Sequence, residues 1–124
     1  MIIHAPISIG ELLDKLTILN IKIERIKDVD KLNNIINEQK ELKAIADKLN
    51  APIELPLLYD KLLSVNDELW DIEDSKRRHE KEQRFDEEFI QLARQVYLKN
   101  DLRASIKKEI NLLMGSAIVE EKSY

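Results

Sequence analysis

The sequence has no cysteine, and only two glycines and three prolines among 124 residues. Without cysteine, neither a disulfide scaffold nor a thiolate-ligated zinc site can form. Glycine is far below its usual share of about 7%, which disfavours glycine-rich phosphate loops and tight hairpins. No apolar run approaches the roughly 20 residues that span a bilayer, and the N-terminus lacks a secretory pattern. We therefore expect a cytoplasmic protein without membrane insertion.

An excess of positive charge is also missing, because 20 basic and 24 acidic residues give a formal net charge of −4. Nucleic-acid binding normally depends on a clustered positive field. The densest basic segment, residues 76–84, is interleaved with Glu80 and Glu82. This alternation is typical of a solvated helix face with internal ion pairs, so we expect no nucleic-acid partner.

The apolar residues that are present, chiefly 18 leucines and 17 isoleucines, recur at helical spacing. They predict an all-α fold, with one helical domain over residues 1–124 and an antiparallel bundle. Residues 1–7 are expected to form an extended arm or a single strand, and Ser8 and Glu11 form a capping box that starts the first helix. About five helices are expected, over residues 9–26, 30–49, 57–72, 86–98 and 101–113.

Four local expectations follow from the sequence pattern. Nine of the 18 residues from 9 to 26 are isoleucine or leucine, so the first helix should be covered on more than one side. Residues 73–84 lack large apolar side chains and form either a polar extension of the third helix or a helix–loop tip. Asn100 or Asp101 is expected to cap the fifth helix. The residues of the fourth helix that are expected to face inward are Phe89, Ile90, Leu92, Ala93, Val96 and Tyr97.

A polar face on the last two expected helices suits an anionic ligand such as a phosphate or a carboxylate. Arginine presents a planar fork of donors for such groups, and lysine adds a point charge. An aromatic side chain beside the site would act as a platform. The candidate ligand-binding residues are Arg94, Asn100, Arg103, Lys107, Asn111 and Trp70. The alternative is a solvated face on which Arg94 or Arg103 pairs with an acid of a neighbouring helix.

We expect no cofactor, but two acidic pairs suggest a magnesium site as an alternative. Glu38 and Glu41, like Glu68 and Asp71, are three residues apart. This spacing puts each pair on one helix face, and two such helices can hold Mg²⁺ against phosphates. The layout resembles that of all-α nucleoside triphosphate pyrophosphohydrolases. With 14 glutamates and 10 aspartates in the chain, such matches also arise by chance.

Other catalytic chemistry has little support. The two histidines, His4 and His79, are far apart in sequence and are expected to be solvent-exposed rather than metal ligands. The chain contains no cysteine and no G-x-S-x-G motif, so nucleophilic catalysis is not indicated.

Several segments together resemble an uncharacterised family of unknown function that occurs in bacteria and some viruses. They are SIGELLDKLTIL at 8–19, LWDIED at 69–74, FDEEFIQLARQVY at 85–97, NDLRASIK at 100–107, Asn111, GS at 115–116 and EEKSY at 120–124. Members often lie among glycosyltransferase and lipopolysaccharide-type genes, so the resemblance implies a small helical protein tied to surface-glycan synthesis. It supplies no catalytic residue. The chain departs from the family pattern at Asn20, where an acid is more usual, and over residues 76–84.

Two functions from different classes stay open. The first is an oligomeric interaction or adaptor protein linked to surface-polysaccharide, lipopolysaccharide-type biosynthesis, with a second copy and glycan-synthesis proteins as partners. The second is a small-molecule enzyme or binder for a phosphate-bearing ligand, such as a nucleotide or a nucleotide-sugar. The sequence contains no catalytic constellation that decides between them.

Overall fold

A computed structural model of the protein describes residues 1–123, and these contain four α-helices and no strand. The helices are α1 (Ile9–Arg25), α2 (Val29–Ala46), α3 (Leu55–Lys81) and α4 (Glu87–Met114). The all-α prediction is confirmed, and the expected number of about five helices is close. Tyr124 is the last residue of the expected domain and of the family-like ending, and it lies outside the described residues.

Short polar side chains begin three of the helices. Ser8 accepts a hydrogen bond from the Glu11 amide at 3.0 Å and thereby starts α1. Only this half of the expected capping box forms, because the Glu11 carboxylate accepts from Lys107 instead. Asp28 and Asp86 cap α2 and α4 in the same way.

The helix boundary that was expected near Asn100 or Asp101 is wrong, because α4 runs without interruption from Glu87 to Met114. Asn100 does not cap a new helix: its Nδ2 donates to the Val96 carbonyl at 3.0 Å, one turn earlier. This local hydrogen bond lets asparagine remain inside a helix. For residues 73–84, the sequence left open a polar extension of the third helix or a helix–loop tip. The polar extension describes most of this segment, since α3 continues to Lys81.

The first helix lies at the centre of the fold, in contact with each of the other three. Its side chains pack into one apolar cluster with residues of α3 and α4. The cluster includes Leu12, Leu13, Leu16, Leu62, Val65, Leu69, Ile106 and Ile110. The prediction that α1 is covered on more than one side is therefore confirmed.

The α3–α4 hairpin is much longer than α1. With a rise of 1.5 Å per residue, α3 is about 40 Å long and α1 about 25 Å. The outer part of the hairpin therefore has fewer neighbours. Ile90, Ala93 and Tyr97 were expected to face inward, and this is wrong, since all three are exposed.

Residues 1–7 contain neither helix nor strand, and all seven are exposed. Within the described part of the chain, no helix is both long enough and apolar enough to cross a membrane.

Candidate functional site

A buried carboxylate joins three helices. Asp14 of α1 has an exposed fraction of only 1%. Its Oδ1 accepts from Arg103 Nε of α4 at 2.9 Å, and its Oδ2 accepts a second hydrogen bond from the same guanidinium. Asn66 Nδ2 of α3 also donates to Asp14 Oδ1, at 2.8 Å. The position and charge of Asp14 are thus set by side chains from two other helices.

Asn66 is itself held in place by Thr17, one turn further along α1. Its Nδ2 is 2.8 Å from Thr17 Oγ1, and that hydroxyl donates to the Asp14 carbonyl at 2.7 Å. Asn66 and Thr17 are both buried. No buried side-chain polar atom among residues 1–123 lacks a partner, which is the condition for a polar network to stabilise a core.

Two further contacts connect α1 to α4 in antiparallel order. Lys107 Nζ donates to Glu11 Oε2 at 2.6 Å and lies 3.8 Å from Asp14 Oδ2. The Gly10 amide donates to Asn111 Oδ1 at 2.6 Å. A Cβ atom at Gly10 would lie 2.6 Å from the Lys107 carbonyl oxygen. Only glycine allows α1 and α4 to approach this closely here.

The chain after α4 turns back across the start of α1. Glu120 Oε1 accepts from Ser8 Oγ at 2.6 Å, and its Oε2 accepts from Asn111 Nδ2 at 3.2 Å. Ser116 Oγ accepts from the Ile9 amide at 3.2 Å. We call the connected side chains the α1–α4 network, which consists of Ser8, Glu11, Asp14, Thr17, Asn66, Arg103, Lys107, Asn111 and Glu120.

The network lowers the pKa of two of its acids, Asp14 and Glu120. Burial alone would raise the pKa of Asp14, but the hydrogen bonds from Arg103 and Asn66, with the positive charges of Arg103 and Lys107, lower it below its ordinary value. Burial acts in the same direction on the pKa of Glu120, and the Ser8 hydroxyl reverses it, so that this pKa is also lowered. A carboxylate that is stabilised as the anion is a poor proton acceptor at neutral pH. Asp14, whose two oxygens both accept from Arg103, therefore connects α1 to α4 as an anion.

A groove of about 620 Å³ lies between α4 and the chain that follows it. Asn100, Arg103 and Lys107 line it, together with Lys108 and Lys122. The structure thus brings three of the six sequence-predicted ligand residues to one groove. Arg103 already pairs with Asp14 of a neighbouring helix, as in the alternative that the sequence left open. Lys107 pairs with Glu11. Lys108 likewise pairs with a groove-lining acid at 2.8 Å.

The other three predicted ligand residues lie elsewhere. Asn111 has an exposed fraction of 1% and belongs to the network. Arg94 is exposed and donates to Gln91 at 3.3 Å; nine residues separate it from Arg103, or about 13 Å along the helix axis. Trp70 is half-buried on α3, with the Arg25 guanidinium 5.7 Å from its ring centre.

The four carboxylates of the magnesium hypothesis are not brought together. Glu38 and Glu41 are exposed on α2, which packs on α1. On α3, Glu68 pairs with Lys99 at 2.5 Å, and Asp71 pairs with the Arg25 guanidinium of α1 at 2.6 Å. In the described part of the chain, a group of three side chains with metal-ligand atoms within 4.8 Å of one another occurs elsewhere, at the α3–α4 turn.

That group contains His79, for which sequence reasoning was wrong. His79 was expected to be exposed, but its exposed fraction is only 3%.

Sequence reasoning also missed Asp14 as the centre of the network. A signal for Asp14 was present, because the residue follows Leu13 and precedes Leu16 in the apolar pattern of α1. A charge among buried positions requires a partner.

The fold and the site together define a small helical protein in which a polar network joins the first helix to the last. The family model described as a family of unknown function, DUF6165, matches residues 3–124, and the chain belongs to this family. Comparisons with curated proteins and with solved structures found no match. Most of the network residues lie in the segments that carry the family resemblance, including Asp14, Arg103 and Glu120.

Proposed function

We propose that this protein is an interaction protein that associates with a second copy of itself through one end of the bundle. This end, which we call the arm end, is where α1 and α3 begin and α2 and α4 finish. The observation that carries the proposal is the arm itself, residues 1–7, whose large apolar side chains are exposed. They are Met1, Ile2, Ile3 and Ile7.

The arm is suited to a partner rather than to solvent. Ile2 and Ile3 have exposed fractions of 62% and 81%, and within the described residues no hydrogen bond involves the backbone of residues 1–7. Full burial of a side chain of this size contributes about 1.5–3 kcal/mol. A partner that covers the arm would gain this energy and would also offer hydrogen bonds to its backbone.

Apolar surface for the arm is present at the same end. The short connections make α1 and α2 antiparallel, and likewise α3 and α4, while the contact between Gly10 and Asn111 places the end of α4 beside the start of α1. Exposed side chains at this end include Ile53, Leu57, Leu112, Leu113 and Ile118. Because the arm and the apolar surface are adjacent, a two-fold symmetric dimer would bury the arm and the apolar surface of both copies.

The α1–α4 network supports this arrangement. It fixes Ser8, from which the arm leaves, against Glu120 of the returning chain. The arm and the apolar surface therefore start from one rigid platform, which lowers the ordering cost of association.

Light scattering after gel filtration tests the proposal, and we expect a dimer. Ile3→Asp places a charge in the arm and should give a monomer. Ile90→Asp is the matched control, because Ile90 is 48% exposed at the opposite end of the α3–α4 hairpin, and it should leave the dimer intact. A wild-type monomer, or a dimer that Ile90→Asp disrupts and Ile3→Asp does not, would overturn the proposal.

The family resemblance supports a role for the dimer as an adaptor for enzymes of lipopolysaccharide-type surface-polysaccharide synthesis in the cytoplasm. Deletion of the gene should then alter the surface polysaccharide of the source cell. The wild-type gene should restore it, and the Ile3→Asp gene should not. An unchanged polysaccharide in the deletion strain would refute this role while leaving the dimer test unaffected.

The groove beside α4 favours a second candidate function, the binding of a phosphate-bearing ligand such as a nucleotide-sugar, with or without Mg²⁺. Arg103, Lys107, Lys108 and Lys122 supply basic groups along its length. A thermal-shift screen with nucleotides and nucleotide-sugars, each with and without magnesium, tests it. A ligand that raises the Tm of the wild type but not of Lys108→Gln would support the candidate, and a flat screen would exclude it.

A further inference from the structure

The turn between α3 and α4 holds a buried imidazole with a defined tautomer. His79 Nδ1 is 2.8 Å from the Ser75 carbonyl oxygen, which can only accept a hydrogen bond. His79 Nε2 is 2.9 Å from a guanidinium nitrogen of Arg84, which can only donate. The proton therefore lies on Nδ1, and Nε2 presents a lone pair. A backbone carbonyl behind one ring nitrogen is how metal-binding histidines are commonly oriented.

Two carboxylates at the start of α4, one from its N-cap and one from its first turn, face the same nitrogen. Asp86 Oδ1 is 3.7 Å from His79 Nε2, and Glu88 Oε2 is 3.6 Å from it. One ligand atom from each of the three residues lies within 4.8 Å of the other two. One imidazole and two carboxylates are ligands that Zn²⁺ accepts, with a fourth position left for water.

The guanidinium of Arg84 now lies among these ligands. Besides its contact with His79, it lies 3.6 Å from Glu88 Oε2 and 3.9 Å from Asp86 Oδ2. Its single positive charge faces two carboxylates, whereas a divalent ion would neutralise both. The Arg84 side chain is about half exposed, and its Nε is 3.4 Å from the Glu82 carboxylate. Arg84 can therefore move outward and keep an acidic partner.

We propose that His79 Nε2, Asp86 Oδ1 and Glu88 Oε2 form a zinc site at the α3–α4 turn, in which Zn²⁺ replaces the Arg84 guanidinium. The bound ion would hold the end of α3 against the start of α4. This inference is independent of the proposed dimer, because it concerns the opposite end of the hairpin.

Calorimetric titration of the full chain with Zn²⁺, after treatment with a chelator, tests the site. We expect one ion per chain. Glu88→Gln and Asp86→Asn should each weaken zinc binding by roughly tenfold or more. Loss of an outer-shell partner of a metal ligand already costs about tenfold in affinity, and these substitutions remove direct ligands. Asparagine is as good an N-cap as aspartate, so Asp86→Asn should still fold. Glu87→Gln, one residue from Glu88, is the matched control and should leave affinity unchanged.

Arg84→Gln gives a result that a merely acidic surface would not. Because this substitution removes the competing cation, Zn²⁺ should bind more tightly to the variant than to the wild type. Mg²⁺ should not compete with Zn²⁺ for the site. Circular dichroism of each variant verifies folding. If zinc binds equally to Glu88→Gln and Glu87→Gln, it is an adventitious ion only, and the proposal is overturned. Weaker binding by Arg84→Gln, or no binding by the wild type, would overturn it as well.

Discussion

Asp14 and Arg103 are 89 positions apart in the chain, yet the two atoms of one carboxylate meet two nitrogens of one guanidinium. The pair joins the first helix to the last. It is asymmetric in burial, because the Asp14 side chain is 1% exposed and the Arg103 side chain 29%. Removal of either partner should therefore have unequal effects.

Arg103→Met should be the more damaging change, because it leaves a carboxylate buried without its main partner. Loss of one partner of a buried pair costs about 3–5 kcal/mol, and we expect the free energy of unfolding to fall by about this amount. Asp14→Asn should cost less, since the remaining guanidinium reaches water. Urea denaturation measures both. Arg94→Met is the control, because Arg94 is exposed on the same helix. An Arg103→Met variant as stable as this control would contradict the central role of the pair.

Acid should weaken the same interaction in a predictable range. The folded-state pKa of Asp14 lies below its ordinary value of 3.8. The stabilisation is therefore fully present above the unfolded-state pKa and is lost as the pH falls through the folded-state pKa. Between about pH 5 and about pH 2, the free energy of unfolding should fall more steeply in the wild type than in Asp14→Asn. Parallel curves for the two proteins in chemical denaturation would argue against this assignment.

Gly10→Ala should destabilise the fold through backbone crowding. The added methyl group would meet the Lys107 carbonyl oxygen at 2.6 Å, so α1 and α4 would have to separate, at a cost of about 1–3 kcal/mol. Gly115→Ala is a useful comparison: it meets nothing within 4 Å and pays only for its φ of 64°, about 1–2 kcal/mol. Amide hydrogen exchange distinguishes them. Gly10→Ala should increase exchange along the α1–α4 contact, whereas Gly115→Ala should affect only the end of α4.

Asn20→Asp tests a smaller contact between three helices. Asn20 accepts from Gln39 Nε2 at 2.5 Å and donates to the Tyr59 hydroxyl at 2.8 Å. Burial raises the pKa of Tyr59, and the Asn20 hydrogen bond partly offsets this. A carboxylate at position 20 removes that donor and adds negative charge, so the pKa of Tyr59 should rise further. Ultraviolet titration of the tyrosines measures it, and Asn34→Asp on exposed α2 should leave it unchanged.

Local rules predicted much of the fold. The spacing of leucine and isoleucine predicted the helices and the burial of α1, because helical periodicity is a property of neighbouring residues. The continuity of α4 through Asn100 was not predictable in this way. It depends on a side chain that bonds one turn back rather than capping, and both choices suit the same residue.

Local sequence rules could not predict which side chains pair with one another in the fold. The i,i+4 spacing of Arg103 and Lys107 predicts that they share a helix face, but it does not say which molecule they face. In the fold, they meet Asp14 and Glu11 of α1. His79 is a second case, since its burial arises from the return of α4 past α3 and not from its polar neighbours in sequence.

The contact between Ser8 and Glu120 nearly closes the polypeptide into a ring. A short flexible linker joining residue 123 to residue 1 would leave that contact and the whole α1–α4 network intact. New termini opened within residues 47–54, between α2 and α3, would then turn the first pair of helices into the last. Such a circular permutant should keep the same core, while α3 and α4 leave the ribosome before α1 and α2.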